Sequence, residues 1–355
     1  MAFERQVTAP DDLVLPGYPS WRDRAGVVPA LSTLSALSAT VLASGATGGR
    51  AIRVLGIDIG ATHSRARLVA GQEVVAEARA RSASVAAEGA EAAVAAFDDL
   101  LARLPVGEWH PLDAACVGAA GTASDEVLDL FEARLGRFTS DGRVLIVGDG
   151  YLVLPAAGLA DGVGVICGTG AVAVAALGER VVRSGGWGYL LGDDGSGFGL
   201  VRSAIRALLD RKDRARPLGP LGADLLEAVG VSRVEELMSQ VYLDPRPGRW
   251  AAYAPAVLHS SDEAARRIVE EAAPALDRLI DAALDALGQP TGLPVVLAGG
   301  LTGDPGFRAT VTSYLRQSRP TSQVSILEEP PVLGAVRLAQ RASVGTVFGG
   351  ARRLR

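Results

Sequence analysis

The chain has 355 residues, 48% hydrophobic and 21% charged, with a net charge of −5. That is enough apolar material for about two domains, and an acidic chain without a basic block is a poor electrostatic partner for nucleic acid or an anionic membrane. Lys212 is the only lysine among 35 basic residues. This rules out a G-x4-G-K-S/T phosphate loop and the strand lysine of protein kinases, so any nucleotide must be held by backbone N–H groups, acids and metal.

Residues 1–50 mix charges, Pro, Gly and Ser. They read as a poorly ordered tail, not as a secretory signal, and no apolar run reaches the ~18 residues of a spanning helix. From Arg53 the pattern sharpens. RVLGID is a buried strand, GATH a turn, SRARLVA an alternating strand and EVVAEARA a third. AAEGAEAAVAAFDDLLARL follows as an amphipathic helix and DAACVG as a strand. Ser124, with Asp125 and Glu126 behind it, has the composition of a helix N-cap. RVLIVGD is a strand running out to Asp149.

The pattern then restarts. GVGVICGTGAVAVAALGERVVRS reads strand, Gly-rich turn, strand, turn, strand, and the chain turns helical from Gly199 to about residue 288. PVVLAGGLTG is a strand entering a Gly pair, GFRATVTSYLRQ a helix, VSIL a short strand and PVLGAVRLAQRA a last helix. Two halves with the same opening predict an internal duplication, with two domains facing each other across a central cleft. The division expected is a tail over 1–50, domains over 51–161 and 162–342 with the last helix able to pack back on the first domain, and a tail over 343–355.

The motifs with chemistry cluster in the turns. Asp58 ends a strand before the small-residue hairpin Gly60-Ala61-Thr62, and Gly168-Thr169-Gly170 repeats the device in the second half. Such hairpins present N–H groups to phosphate, and an acid beside one can hold Mg²⁺. Asp149, between two glycines at a strand end, is placed to act as general base on a substrate hydroxyl. Gly299 and Gly300 offer a flat surface for a purine. The segment GGWGYLLGDDGSGFG, residues 185–199, has seven glycines in fifteen positions, a density used where backbone bends sharply or lies close to something. His63, His110 and His259 are scattered and have no zinc-type spacing. Cys116 and Cys167 lie in apolar runs and read as buried thiols, which suits a reducing cytosol.

The ordered set Asp58-x-Gly, Ala119-Ala120-Gly121, Gly148-Asp149, Gly168-Thr169-Gly170, GGWGYLLGDDGSG and Ala298-Gly299-Gly300-Leu301 resembles the BadF/BadG/BcrA/BcrD ATPase family over about residues 52–342. Within it, the set is most similar to the N-acetylglucosamine and glucosamine kinase branch of the actin and hexokinase superfamily. The resemblance implies an α/β, duplicated ribonuclease-H-like, two-domain fold. It also implies an ATP- and Mg²⁺-dependent cytoplasmic kinase that phosphorylates an amino sugar, at the 6-hydroxyl, and that forms a homodimer in many relatives. Asp58 would hold Mg²⁺–ATP, while Gly60, Thr62, Gly168, Thr169 and Gly170 would line the phosphates and Gly299 and Gly300 the adenosine. Asp149 would be the catalytic base. Ser84, Gly121, Asp149, Gly185, Gly186 and Asp193 would line the sugar, and Ser196 would start the next helix. Relatives often carry Ala-Asn-Pro where this chain has Ala83, Ser84 and Val85, and a hydroxyl residue where it has Ala171, which leaves the choice of sugar open. The alternatives within the superfamily are an activator ATPase and a nucleotide-binding regulator. No nucleic-acid or membrane partner is expected.

Overall fold

The computed structural model describes residues 50–120, 125–140, 143–178, 180–344 and 353–354. The tail expected over 1–50, apart from Arg50, lies outside the described residues, as do Gly121 and the cap assigned to Ser124.

Three antiparallel strands open the described chain: β1 (Arg53–Ile59), β2 (His63–Ala70) and β3 (Glu73–Arg81). Helix α1 (Ala90–Ala102) leads to β4 (Ala114–Ala119), and α2 (Asp125–Gly136) to β5 (Val144–Gly148). β4 and β5 run parallel to β1, and β4 is buried at every position. A strand covered on both faces has no solvent side to alternate toward, which is why AACVGA carries no polar residue.

The second half repeats this order. β6 (Gly162–Cys167), β7 (Ala171–Leu177) and β8 (Arg180–Gly185) are antiparallel. α3 (Gly197–Asp213), several short helices between residues 219 and 258, and α4 (Glu263–Leu287) follow. Then β9 (Val295–Ala298) pairs parallel to β6, and β10 (Val324–Ile326) parallel to β9 after α5 (Pro305–Ser318). The first sheet has the order β5-β4-β1-β2-β3 and the second β10-β9-β6-β7-β8. The two are the same topology, so the duplication expected from the two openings is present in the strand pairing.

Two features depart from a division of the chain into consecutive units. The last helix, α6 (Val332–Ser343), packs on β1 and β4 of the first sheet, not on its neighbours in sequence. Residues 343–355, expected as a tail, contribute β11 (Arg353–Leu354), which adds a sixth strand parallel to β5. A two-residue strand is below what periodicity can detect, which explains the miss. Each half buries its own core. Phe97 stacks on Phe131 under the first sheet, and Trp250, Phe307 and the apolar stripe of α4 fill the second. Among the described residues no helix is long and apolar enough to cross a membrane.

The seat of α6 depends on one small residue. A Cβ at Gly56 would lie 2.5 Å from the backbone nitrogen of Val336 and 2.7 Å from its Cγ2. Helix and strand are therefore in backbone contact, and only hydrogen fits between them. Gly56→Ala is expected to cost about 1–3 kcal/mol by overpacking, read as a lowered midpoint in urea or thermal unfolding. An unchanged midpoint would show that α6 does not sit this close to β1.

Candidate active site

The parallel strands of each half end along one edge. Ile59, Ala119 and Gly148 lie in one row across β1, β4 and β5, so Asp58 and Asp149 emerge on the same rim of the first sheet. Ile166 and Ala298 pair in the second sheet, which brings Gly168 and Gly299 out together on its rim. In open α/β sheets such carboxyl-end rims are where ligands bind.

The two Gly/Thr hairpins meet across the gap between the halves. Thr62 Oγ1 and Thr169 Oγ1 are 3.2 Å apart, although 107 residues separate them in the chain. The first hairpin closes with Gly60 N donating to the His63 carbonyl, and Ser82 Oγ donates to the Gly60 carbonyl from behind at 2.8 Å. Ser84 belongs to the same buttress. It is 2% exposed, and its hydroxyl donates to the Ala120 carbonyl at 3.1 Å. Its proton is therefore committed to holding the end of β4, where the sequence suggested a sugar contact.

The segment 185–199 wraps the second hairpin. Gly186 N donates to the Ala171 carbonyl, and Gly197 N and Phe198 N donate to the carbonyls of Gly168 and Thr169. Asp193 Oδ1 accepts from Ala171 N at 3.0 Å. A Cβ on Gly170 would lie 2.9 Å from that carboxylate, so this glycine is what lets Asp193 reach across. Asp193 itself takes φ 64, a left-handed conformation uncommon outside Gly and Asn. Ser196 caps α3, its side chain accepting from Gly199 N at 3.1 Å as the sequence suggested. Asp194 points outward to Arg202, which also donates to the carbonyls of Tyr189 and Gly192 and so ties the segment to α3.

The electrostatics of the rim are unusual for aspartates. Burial, with the charge of Asp149 added to it, pushes Asp58 up to about 7, and Arg65 works in the opposite direction. Burial pushes Asp149 up to about 6 against the hydrogen bond from Gly150 N (2.9 Å) and the charge of Arg183, while Asp193 adds to the rise. Burial also raises Asp193, opposed by the Ala171 N–H and Arg202. Carboxyl groups held this far from their usual range, converging on one cleft, mark a site poised for proton transfer.

Neither Arg65 nor Arg183 stands out in the sequence as a site residue. Arg65 carried a usable signal, because it lies directly opposite Asp58 in the β1–β2 register, and counting outward from the Gly60–Thr62 turn reaches both. Among the described residues no group of three or more His, Cys, Asp or Glu gathers to hold a metal ion. This donor set still fits Mg²⁺, which takes one or two protein carboxylates and completes its shell with phosphate oxygens and water. Asp58, at the foot of the first hairpin, is the carboxylate so placed. Cys116 lies inside β4 and Cys167 at the end of β6; both are free and buried.

Comparison with known proteins agrees with this geometry. The family model for the BadF/BadG/BcrA/BcrD ATPases matches residues 55–339. An N-acetyl-D-glucosamine kinase of Dictyostelium discoideum is 34% identical over 188 residues, 50% of this chain and 59% of that protein, so the match spans less than two thirds of the relative. An N-acetylmuramic acid/N-acetylglucosamine kinase of Clostridium acetobutylicum is 28% identical over 236 residues, 64% of this chain and 77% of that protein. Among solved structures, a Chromobacterium violaceum protein provisionally named an N-acetylglucosamine kinase superposes with a TM-score of 0.64 at 24% identity. That alignment covers 80% of this chain and 98% of the other, and it shows the shared fold. With the duplicated sheets and two facing hairpins, the match over most of the chain establishes that this protein belongs to the BadF/BadG/BcrA/BcrD ATPase family.

Proposed function

We propose that this protein is an ATP-dependent amino-sugar kinase acting in the cytoplasm, with N-acetylglucosamine or glucosamine as acceptor and the 6-hydroxyl as nucleophile. The observation that carries the reading is the 3.2 Å meeting of Thr62 and Thr169 above two half-buried carboxylates, Asp58 and Asp149. Two phosphate-type hairpins from opposite halves, closed on one another, hold a polyphosphate from both sides. The relatives named as sugar kinases support the choice of acceptor.

In this reading the backbone N–H groups of the two hairpins bind the phosphates, and Gly299 and Gly300 lie against the adenosine. Mg²⁺, when bound with the nucleotide near Asp58, neutralises charge on the phosphates. Asp149 takes the proton from the sugar hydroxyl. The sugar oxygen then forms its bond to the γ-phosphorus as the bond from that phosphorus to the ADP oxygen breaks, and ADP leaves with the electron pair. Gly185, Gly186 and Asp193 form the wall against the acceptor. Because Asp193 also accepts from Ala171 N, the same side chain touches the acceptor wall and the phosphate hairpin. Closure of the two halves keeps water, the competing acceptor, away from the γ-phosphate.

Asp149→Asn is expected to lower kcat by about 10²–10⁴ while leaving the KM for ATP near its original value. ADP release coupled to N-acetylglucosamine or glucosamine is the assay; retained turnover would remove Asp149 from the base role, and turnover indifferent to every sugar would remove the kinase reading itself. The pH profile follows from the same group. With Asp149 at about 6, kcat/KM is expected to fall as the pH drops below about 6, because the base becomes protonated. Stability moves the other way. A carboxyl group whose pKa is higher in the folded than in the unfolded chain binds more protons when folded, so stability declines as pH rises from about 4 through 7. Asp58→Asn and Asp149→Asn cannot ionise. Without nucleotide or divalent cation at pH 8, each is expected to unfold at a higher midpoint than the parent, by about 1–3 kcal/mol. Equal midpoints at pH 8 would mean the two carboxyls are better solvated than their setting implies.

A further inference from the structure

The turn that carries Asp149, residues 149–156, is held from both sides. On one side it lies against α6. A Cβ at Gly334 would sit 2.1 Å from the Leu152 carbonyl oxygen, and Arg337 Nη1 donates to the carbonyls of Pro155 and Ala156 at 2.6 and 2.8 Å. On the other side it lies against the second sheet, where a Cβ at Gly150 would sit 2.7 Å from Val174 Cγ2. Between these two close contacts the packing is incomplete. A cavity of about 410 Å³, partly open to solvent, lies in the joint. Its walls come from β5, the 149–156 turn, the link between the halves, β7, β8 and α6. Cavities of this size at the meeting of two domains are where small molecules bind. None of the residues assigned to the nucleotide or the acceptor lines it.

The lining is hydrocarbon over most of its surface, from Val147, Leu154, Leu159, Val174, Val181 and Leu338. Its one charged member among the described residues is Arg341, a helical turn beyond Arg337 on α6. Arg337 spends its donors on two carbonyls. Arg341 is half-buried, and among the described residues its guanidinium makes no hydrogen bond and no ion pair. Burial, with the charge of Arg337 added to it, draws Arg341 below the usual arginine range. A cation withdrawn from water without an acceptor is unfavourable, and apolar walls facing empty space forfeit their contacts. One kind of molecule relieves both: an anion that answers the guanidinium and a short hydrocarbon body that fills the space. A carboxylate matches the guanidinium fork through two parallel N–H···O bonds. Inorganic phosphate or sulfate meets the charge but has no apolar part to bury.

We propose that this joint is a regulatory site for a small amphipathic carboxylate, seated with its carboxylate on Arg341 and its hydrocarbon body between the two halves. The walls belong to both halves and to α6, so an occupant fixes their relative position. A ligand that fits the space in this arrangement favours it, with Thr62 and Thr169 3.2 Å apart, over any arrangement in which the joint has shifted. It thereby meets in advance part of the cost of bringing the two hairpins together around a nucleotide. Binding at the joint is independent of the kinase reading; the effect on turnover rests on it.

The test is titration calorimetry and thermal unfolding of the full-length protein with sodium hexanoate. Hexanol, which has the body without the charge, and acetate, which has the charge without the body, are the controls. Hexanoate is expected to bind saturably, to raise the unfolding midpoint, and to bind at least about tenfold more tightly than either control. Arg341→Met should weaken hexanoate about tenfold or more and leave hexanol unchanged. Ala160→Trp, which builds a large side chain into the lining, should remove the binding of both; it decides the matter alone if Arg341→Met fails to fold. No saturable binding of millimolar hexanoate would overturn the proposal. Equal binding in the parent and in both variants would overturn it too, by placing hexanoate elsewhere. In coupled ADP release with N-acetylglucosamine or glucosamine, saturating hexanoate should lower the KM for ATP about 2- to 10-fold in the parent and not in Ala160→Trp. A KM that does not move would overturn the regulatory role. Turnover on no sugar would take down the kinase reading and that role together, while the calorimetry still decides the site.

Discussion

Two acids of like charge have to occupy one partly dehydrated cleft, and much of the molecule is arranged around that requirement. Asp58 and Asp149 reach the rim because β1 and β5 both run parallel to β4 and end together. Among the described residues each has one arginine whose charge acts on it, Arg65 for Asp58 and Arg183 for Asp149, and each arginine comes from an antiparallel strand of a different half. Neither arginine forms a direct salt bridge with its acid. A tight bridge would fix the carboxylate as a structural ion, whereas a cation held at a distance moderates the cost of burial and leaves the oxygens available. The tension that remains is the strain of a working site, and it is located where ligands would relieve it.

The glycine-rich segment shows how such a site is supported. Its backbone lies close first of all to the other hairpin, not to open space: Gly186, Gly197 and Phe198 donate to hairpin carbonyls, and Asp193 reaches over Gly170 to the Ala171 amide. The proposed acceptor wall and the proposed phosphate cradle are thus one hydrogen-bonded body, anchored to α3 through Ser196 and Arg202. Displacement of one is displacement of the other, because Gly186, Gly197, Phe198 and Asp193 all bond to the second hairpin.

Most of the architecture was legible because it was written twice. Two openings of strand, small-residue turn and alternating strand gave the duplicated sheets, and the buried runs AACVGA and VVLA marked the central strands. Asp58, Asp149 and both hairpins could be named for the same reason, since each stands where an apolar run stops. What could not be read depends on contacts between segments far apart in sequence. Ser84 reads in the sequence as a ligand contact, and only the fold shows that its hydroxyl donates its proton to the Ala120 carbonyl. Asp193 looked like a contact for substrate alone, and its bond to Ala171 N appears only when residues 22 positions apart are folded together. Arg183 sits in RVVRSG as an ordinary strand arginine; nothing local says that its charge will act on Asp149. Strand β11 is too short to leave a pattern.

The return of the last helix to the first sheet has a consequence for how the protein is made. One face of that sheet is covered by α6, with Ala335, Val336, Leu338 and Ala339 packed against Val54, Cys116 and Leu145. The residues that cover it leave the ribosome roughly 190 to 285 positions after the strands they cover. During synthesis the first half therefore waits with an apolar sheet face exposed while the whole second half emerges and folds. The chain then crosses back to seal it, so the first sheet is closed by an element translated after every strand of the second sheet.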